Sequence, residues 1–216
     1  LNLITPEQRL VFEQATATYQ ADLAADPAAQ RYLTKRGFTP EVAQRFRLGV
    51  VRRPVLGHER FAGRLSIPYL TPAGPVNMNF RCIEDHDCKA VEGHRKYLKP
   101  EGLDSNLFNV LALSEAGDSI CVCEGELDAV TLAMAGIPGV AVAGANGWQK
   151  HFSRCLDDFA KVYVLGDGDK AGSGLNKKLI NDVRAIPVRM PKGEDCNSLF
   201  VKGGADALRA LIQTDR

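Results

Sequence analysis

Ser119-Ile120-Cys121-Val122-Cys123-Glu124-Gly125-Glu126-Leu127-Asp128 decides how the second half of this chain is read. An apolar run ends on an acid, a glycine follows, and a helix-patterned segment carries further acids. A β-strand over 119–123 delivers Glu124 at its carboxyl end, where an open α/β sheet has its crevice. Gly125 allows a sharp exit into the helix. Asp128 follows Glu124 at about one helical turn, so both carboxylates can face one site.

A matching stretch comes later: Lys161-Val162-Tyr163-Val164-Leu165-Gly166-Asp167-Gly168-Asp169. It is again strand-like and ends on two acids alternating with glycines. Taken alone, Asp-x-Asp reads equally well as a turn and helix cap. Paired with Glu-Gly-x-x-Asp in the corresponding place, it points to a carboxylate cluster that holds divalent metal. Between and beyond these stretches, strand and helix signals alternate. Strands are expected over 119–123, 139–143, 161–165 and 186–190, and helices over 126–135, 148–157 and 172–184. Repeated β-α units of this size imply a parallel sheet with right-handed crossovers.

The first half reads differently. Thr5-Pro6-Glu7 and Thr39-Pro40-Glu41 are helix starts, each a capping threonine, a proline and an acid. A helix between them is expected over 28–35, stopped by Gly37. These three short helices form a small helical subdomain or a docking surface. Residues 63–70 and 75–81 alternate around a Thr71-Pro72-Ala73-Gly74 turn and predict a hairpin. Residues 82–94 read as a polar loop, followed by the basic extended segment Arg95 to Pro100.

Charge divides the same way. Between Arg31 and Lys99 there are 14 Lys and Arg against 6 Asp and Glu, whereas from Leu111 onward there are 12 against 14. A basic half joined to a half with clustered acids suits a polyanion held beside metal ions. Solvated surface charge explains the numbers as well. The 216 residues are 45% hydrophobic and 25% charged, as in soluble globular proteins. No run is long enough to span a bilayer.

Six cysteines are scattered with no CxxC pair, which argues against a secreted disulfide framework and for a reducing cytoplasm. Cys82, His86, Cys88 and His94 offer zinc-ligand chemistry. Their Cys-x5-Cys spacing departs from the common structural zinc patterns, so the stretch is read as a loop. His58 and His151 show no partner signal. Gly144 to Gly147 is either an ordinary turn or a set of amides for a phosphate. Trp148 reads as a core anchor.

Residues 119–200 resemble a Toprim domain, and within that superfamily the chain is most similar to bacterial (DnaG-type) primases. Glu124-Gly125-Glu126-Leu127-Asp128 matches their Glu-Gly-x-x-Asp. Gly166-Asp167-Gly168-Asp169-Lys170-Ala171-Gly172 matches their Asp-Gly-Asp-Arg/Lys-Ala-Gly. Pro191 to Leu199 resembles Pro-x-Gly-x-Asp-Pro-Asp-x-Leu, with Asn197 in place of the second aspartate. Lys96-Tyr97-Leu98 matches the run that precedes the Toprim domain in those primases. The resemblance implies an α/β Toprim domain over 113–216, with carboxy-terminal helices. A basic, mixed α+β subdomain over 1–112, for template and nucleotide, precedes it.

The resemblance also implies roles. Glu124, Asp128, Asp167 and Asp169 are expected to be catalytic, with Glu124, Asp167, Asp169 and Asp195 holding Mg²⁺ or Mn²⁺. Arg81, Lys96 and Lys99 are expected on nucleotide or template phosphates, with Arg52, Arg53 and Arg64 as outer candidates. The implied activity is RNA primer synthesis from ribonucleoside triphosphates on single-stranded DNA. The zinc-binding and helicase-binding parts of such primases are not found in the chain. A replicative helicase or a separate zinc-binding subunit is therefore the expected partner, with no membrane partner. A reduced chain of this kind suits a phage. A Toprim-type nuclease, or a catalytically weak nucleic-acid-binding or helicase-loading module, is the alternative. A topoisomerase is disfavoured for want of a strand-passage domain.

Overall fold

The computed structural model describes residues 4–144, 146–168 and 170–213. The chain divides into two units, Leu1–Asp104 and Ser105–Arg216.

In the first unit, α1 (Pro6–Ala24) starts from a reciprocal cap. Thr5 Oγ1 accepts from the Gln8 amide, and Gln8 Oε1 accepts from the Thr5 amide. α2 (Pro27–Lys35) is capped by Asp26 and α3 (Pro40–Arg45) by Thr39. α1 has 19 residues, so it is not one of three short helices. It packs on an antiparallel sheet of β1 (Gly49–Val50), β2 (Leu65–Thr71), β3 (Gly74–Arg81) and β4 (Tyr97–Leu98), in that order. The expected hairpin is β2–β3. Pro68 is tolerated in β2 because β1 pairs only with Leu65 and Ser66, leaving the rest of that side an edge.

Phe12, Ala15 and Tyr19 from α1 meet Phe61, Met78 and Phe80 in the core. His58 belongs to that core. Its Nδ1 lies 2.9 Å from Tyr19 Oη, and its ring stands edge-on to Phe61 and Phe80. Burial holds its pKa below the ordinary value.

The second unit contains α4 (Ala112–Glu115), β5 (Ser119–Cys123), α5 (Glu126–Met134), β6 (Gly139–Ala141), β7 (Lys161–Leu165), α6 (Lys170–Val183), β8 (Ile186–Pro187) and α7 (Cys196–Gln213). The strands are parallel in the order β6-β5-β7-β8. β5 and β7 are buried on both faces, as their unbroken apolar runs require. Ile120, Val122, Val140, Val162 and Val164 pack with Leu175 and Leu179 of α6. Trp148 is a core residue whose Nε1 donates to Asp182 Oδ2 at 2.8 Å.

Three expected elements are shorter or tighter than their sequence patterns. The helix expected over 148–157 is a 3₁₀ segment, Lys150–Cys155, closed by bonds such as Leu156 to Ser153. So short a connector gains little from α-helical propagation. β6 stops at Ala141, before Ala143, whose φ is 57°. β8 stops at Pro187, with the Val188 amide still donating to Val164 O at 2.9 Å. α7 is broken at Gly204, with φ 67° and ψ −165°. Among the described residues, no helix is long and apolar enough to cross a membrane.

Candidate active site at the carboxyl edge of the parallel sheet

Cys123 of β5 lies opposite Leu165 of β7. The next residues on the two strands are Glu124 and Gly166, and Asp167 follows one step further. Neighbouring strands run about 4.8 Å apart, so Glu124 and Asp167 leave the sheet at one edge. From β5 the chain moves outward to β6, then returns to β7 on the opposite flank. That reversal is where a doubly wound sheet opens its ligand crevice.

Local contacts fix each acid. Asp128 sits in the first turn of α5, where the helix dipole favours a carboxylate. A Cβ on Gly125 would lie 2.6 Å from Asp128 Oδ2, so the carboxylate occupies the space this glycine leaves. The Gly144 amide donates to the Glu124 carbonyl at 2.8 Å, tying the exit of β6 to the exit of β5. Gly166 is held by its amide, which donates to Asn176 Oδ1 on α6 at 3.1 Å.

Gly168 joins the turn after β7 to the loop 191–195. Its amide donates to Glu194 O at 3.1 Å, and its carbonyl accepts from the Gly193 amide at 3.3 Å. A Cβ there would fall 2.2 Å from Pro191 O, so only glycine fits. Asp195 is thereby brought to the same turn. One of its oxygens, Oδ1, accepts from the Ser198 amide at 2.7 Å and caps α7.

Two buried thiols report on this convergence. Burial pushes the Cys196 thiol well up, and Asp128, Cys121, Asp195 and Asp167 push it further the same way. Burial raises Cys123 likewise, reinforced by Cys196, Asp128, Cys121 and Asp167. Asp128, Asp167 and Asp195 come from three separate segments and act on one thiol. The thiols stay protonated, and Cys123 donates to Val140 O at 3.4 Å. Available to a cation are therefore carboxylate oxygens, the donors that hard divalent ions take. Asp169 lies outside the described residues.

Among the described residues these oxygens are not gathered within 4.8 Å of one another. The group gathered that tightly is Cys82, His86, Cys88 and His94 in the first unit.

Asn197 is buried, and its amide donates to Thr131 Oγ1 at 3.1 Å, linking α7 to α5. The Gly144 and Gly147 amides are both engaged, to Glu124 O and Gly144 O, so the ordinary-turn reading of that loop holds for them.

In the first unit, Arg81 is buried. Its Nε donates to Tyr32 Oη at 2.6 Å, and its Nη1 donates to Tyr97 Oη. Lys96 and Lys99 are exposed. Their main-chain carbonyls accept from Arg64 and Arg60, which fastens this basic segment. Arg52 and Arg53 are paired with Asp26 and Asp22, two aspartates on helix α1 and its connection to α2.

Sequence reasoning missed Asn176, Ser198, Tyr32 and the tyrosine clamp on Arg81. Arg81 meets Tyr32 from 49 residues away, and Asn176 reaches Gly166 across the turn after β7, whereas the capping spacing of Asp195 and Ser198 is a local signal.

Residues 121–200 match the model of the Toprim-like family. The chain is 36% identical over 155 residues to the gene 57 protein of Mycobacterium phage D29, covering 70% of this chain and 99% of that one. It is 28% identical over 236 residues to the DNA primase of Aquifex aeolicus, covering 91% of this chain and 47% of the enzyme. Among solved structures, it is similar to the RNA polymerase domain of Mycobacterium tuberculosis primase DnaG in complex with double-stranded DNA. There the identity is 27%, the TM-score 0.77, and the match covers 97% of this chain and 81% of that one. The chain belongs to the family of DnaG-type primase catalytic cores. It spans less than half the length of the bacterial primases it matches.

Proposed function

We propose that this chain synthesises short RNA primers, joining ribonucleoside triphosphates on a single-stranded DNA template. The observation that carries this reading is the placement of Glu124 and Asp167 at adjacent carboxyl ends of β5 and β7, at the topological switch point. Glu124, Asp167 and Asp169 would hold Mg²⁺ or Mn²⁺, with Asp128 and Asp195 as supporting carboxylates. When bound, such ions activate a 3′-hydroxyl and neutralise charge on the departing pyrophosphate.

The chain's own residues do the positioning. Gly168 and Asn176 fix the turn that presents Asp167, and Gly125 makes room for Asp128. Phosphoryl transfer asks mainly for positioning and charge neutralisation, so no side-chain nucleophile is needed. Exposed Lys96 and Lys99 would contact phosphates of template or nucleotide, giving sequence-independent, salt-dependent affinity. Arg81 would orient Tyr32 and Tyr97 more than meet a phosphate itself, given its burial. The six cysteines are free thiols, in keeping with a cytoplasmic setting. A replicative helicase or a zinc-binding subunit would supply template selection.

The test is incubation of the protein with single-stranded template, labelled ribonucleotides and Mn²⁺. Primer ladders are expected. Template degradation would instead indicate a Toprim-type nuclease, and binding without either product would indicate a non-catalytic module.

A further inference from the structure

Cys82, His86, Cys88 and His94 lie on the stretch between β3 and β4, and the proposed reaction uses none of them. One ligand atom from each, two sulfurs and two ring nitrogens, all fall within 4.8 Å of one another. Cys82 Sγ is 3.8 Å from His86 Nε2. Ligands at Zn–S of about 2.3 Å and Zn–N of about 2.0–2.1 Å stand roughly 3.3–3.8 Å apart in a tetrahedron. The cluster is therefore close to coordination spacing before any ion draws it in.

Both histidines are set up for it. His86 Nδ1 lies 3.2 Å from Glu84 Oε2, which leaves Nε2 directed at Cys82. A carboxylate on the outer nitrogen is the usual way a ligating imidazole is oriented. His94 Nε2 is buried and has no hydrogen-bond partner among the described residues. Buried polar atoms left in that state are rare, and a bound ion is one of the accepted reasons for them. The two rings meet edge-on at 4.6 Å.

The loop has little else to order it. Val91 is exposed, and the main-chain bonds inside the loop are local turns, Ala90 to Asp87 and His94 to Val91. Its base is closed by the Cys82 amide donating to Lys96 O at 2.8 Å. Loops of about this length without secondary structure of their own are uncommon in compact domains and often carry a function.

We infer that Cys82, His86, Cys88 and His94 bind one zinc ion in a tetrahedral Cys₂His₂ site that clamps residues 82–94. Zinc enters as the dication, the two thiols release their protons to solvent, and the histidines ligate as neutral imidazoles. No redox step is involved. The clamp fixes the segment that leads into Lys96. The linear spacing concealed the site because the ligands are brought together by a loop that folds on itself.

The test uses the full chain purified under reducing conditions, with zinc content measured after dialysis and Co²⁺ titration followed by absorbance. One zinc per chain is expected. Co²⁺ should give a thiolate-to-metal charge-transfer band and the strong visible bands of a tetrahedral site. Cys88→Ser and His94→Ala should each weaken metal binding by about 100-fold or more. Cys155→Ser, at an exposed cysteine outside the loop, should leave it unchanged. If a variant fails to fold, hydrogen exchange on the wild-type chain replaces it. Chelation should then expose the amides of 82–96 selectively, and zinc should restore their protection. A reduced wild-type chain that takes up neither ion, a Co²⁺ spectrum without a thiolate band, or equal uptake by His94→Ala would overturn the site.

Discussion

The amide of Gly168 donates to the carbonyl of Glu194 at 3.1 Å, so the turn that carries Asp167 is fastened to the loop that carries Asp195. The two acids are far apart in sequence and come from different elements. Their shared position depends on main-chain bonds and on a residue with no side chain.

Gly168→Ala should break that arrangement. The added methyl would meet Pro191 O at 2.2 Å, so the loop must move. A loss of about 1–3 kcal/mol in unfolding free energy is expected, the range for overpacking. Primer yield should fall with it. Urea denaturation together with the primer assay checks both, and an unchanged midpoint with full activity would contradict the fastening role.

Asn176 supports the other end of the same turn. Asn176→Leu would leave the buried Gly166 amide without its acceptor, costing about 1–3 kcal/mol. Asn176→Asp keeps an oxygen in place and should retain most of the stability. Thermal unfolding of the two variants side by side distinguishes loss of the acceptor from general disturbance of α6.

The strand ends that border this site were legible in the chain. Cys121-Val122-Cys123-Glu124-Gly125 and Val164-Leu165-Gly166-Asp167 announce strand ends, because a doubly buried strand must be apolar and must stop at a polar turn. The parallel sheet followed from alternation of strand and helix signals. What stayed hidden depends on tertiary packing. His58 gave no local signal, yet Tyr19, Phe61 and Phe80 enclose it. Nor does the chain itself show that Arg52 and Arg53 pair with carboxylates, or that Arg81 meets tyrosines, of their own unit. The helix over 148–157 failed because helical spacing does not separate a short α-helix from a 3₁₀ connector.

His58 makes the first unit sensitive to acid. Burial holds its folded-state pKa below 6.5, so the unfolded chain takes up the proton more readily. Its contribution to stability is complete above that value and is lost as pH falls through it towards the folded pKa. Unfolding free energy of the wild type should therefore drop more steeply than that of His58→Phe between about pH 7.5 and about pH 5. Parallel profiles for the two proteins would contradict this assignment.

Lys96 and Lys99 should control affinity for single-stranded DNA through charge alone. Each Lys→Ala change should weaken binding and reduce the slope of log affinity against log salt by about 0.7. Arg53→Ala should leave that slope intact and cost up to about 1 kcal/mol of stability, because its partner is Asp22. Fluorescence anisotropy across a salt series separates the two behaviours.

The most direct measurement is Mn²⁺-dependent primer synthesis by the wild type, Glu124→Gln and Asp167→Asn, with Mn²⁺ binding followed by electron paramagnetic resonance. Both substitutions remove one charge at the edge shared by β5 and β7. Each is expected to weaken Mn²⁺ binding and lower primer yield by at least about 100-fold, with circular dichroism unchanged. Full primer synthesis by either folded variant, with Mn²⁺ bound as in the wild type, would contradict the assignment of these acids.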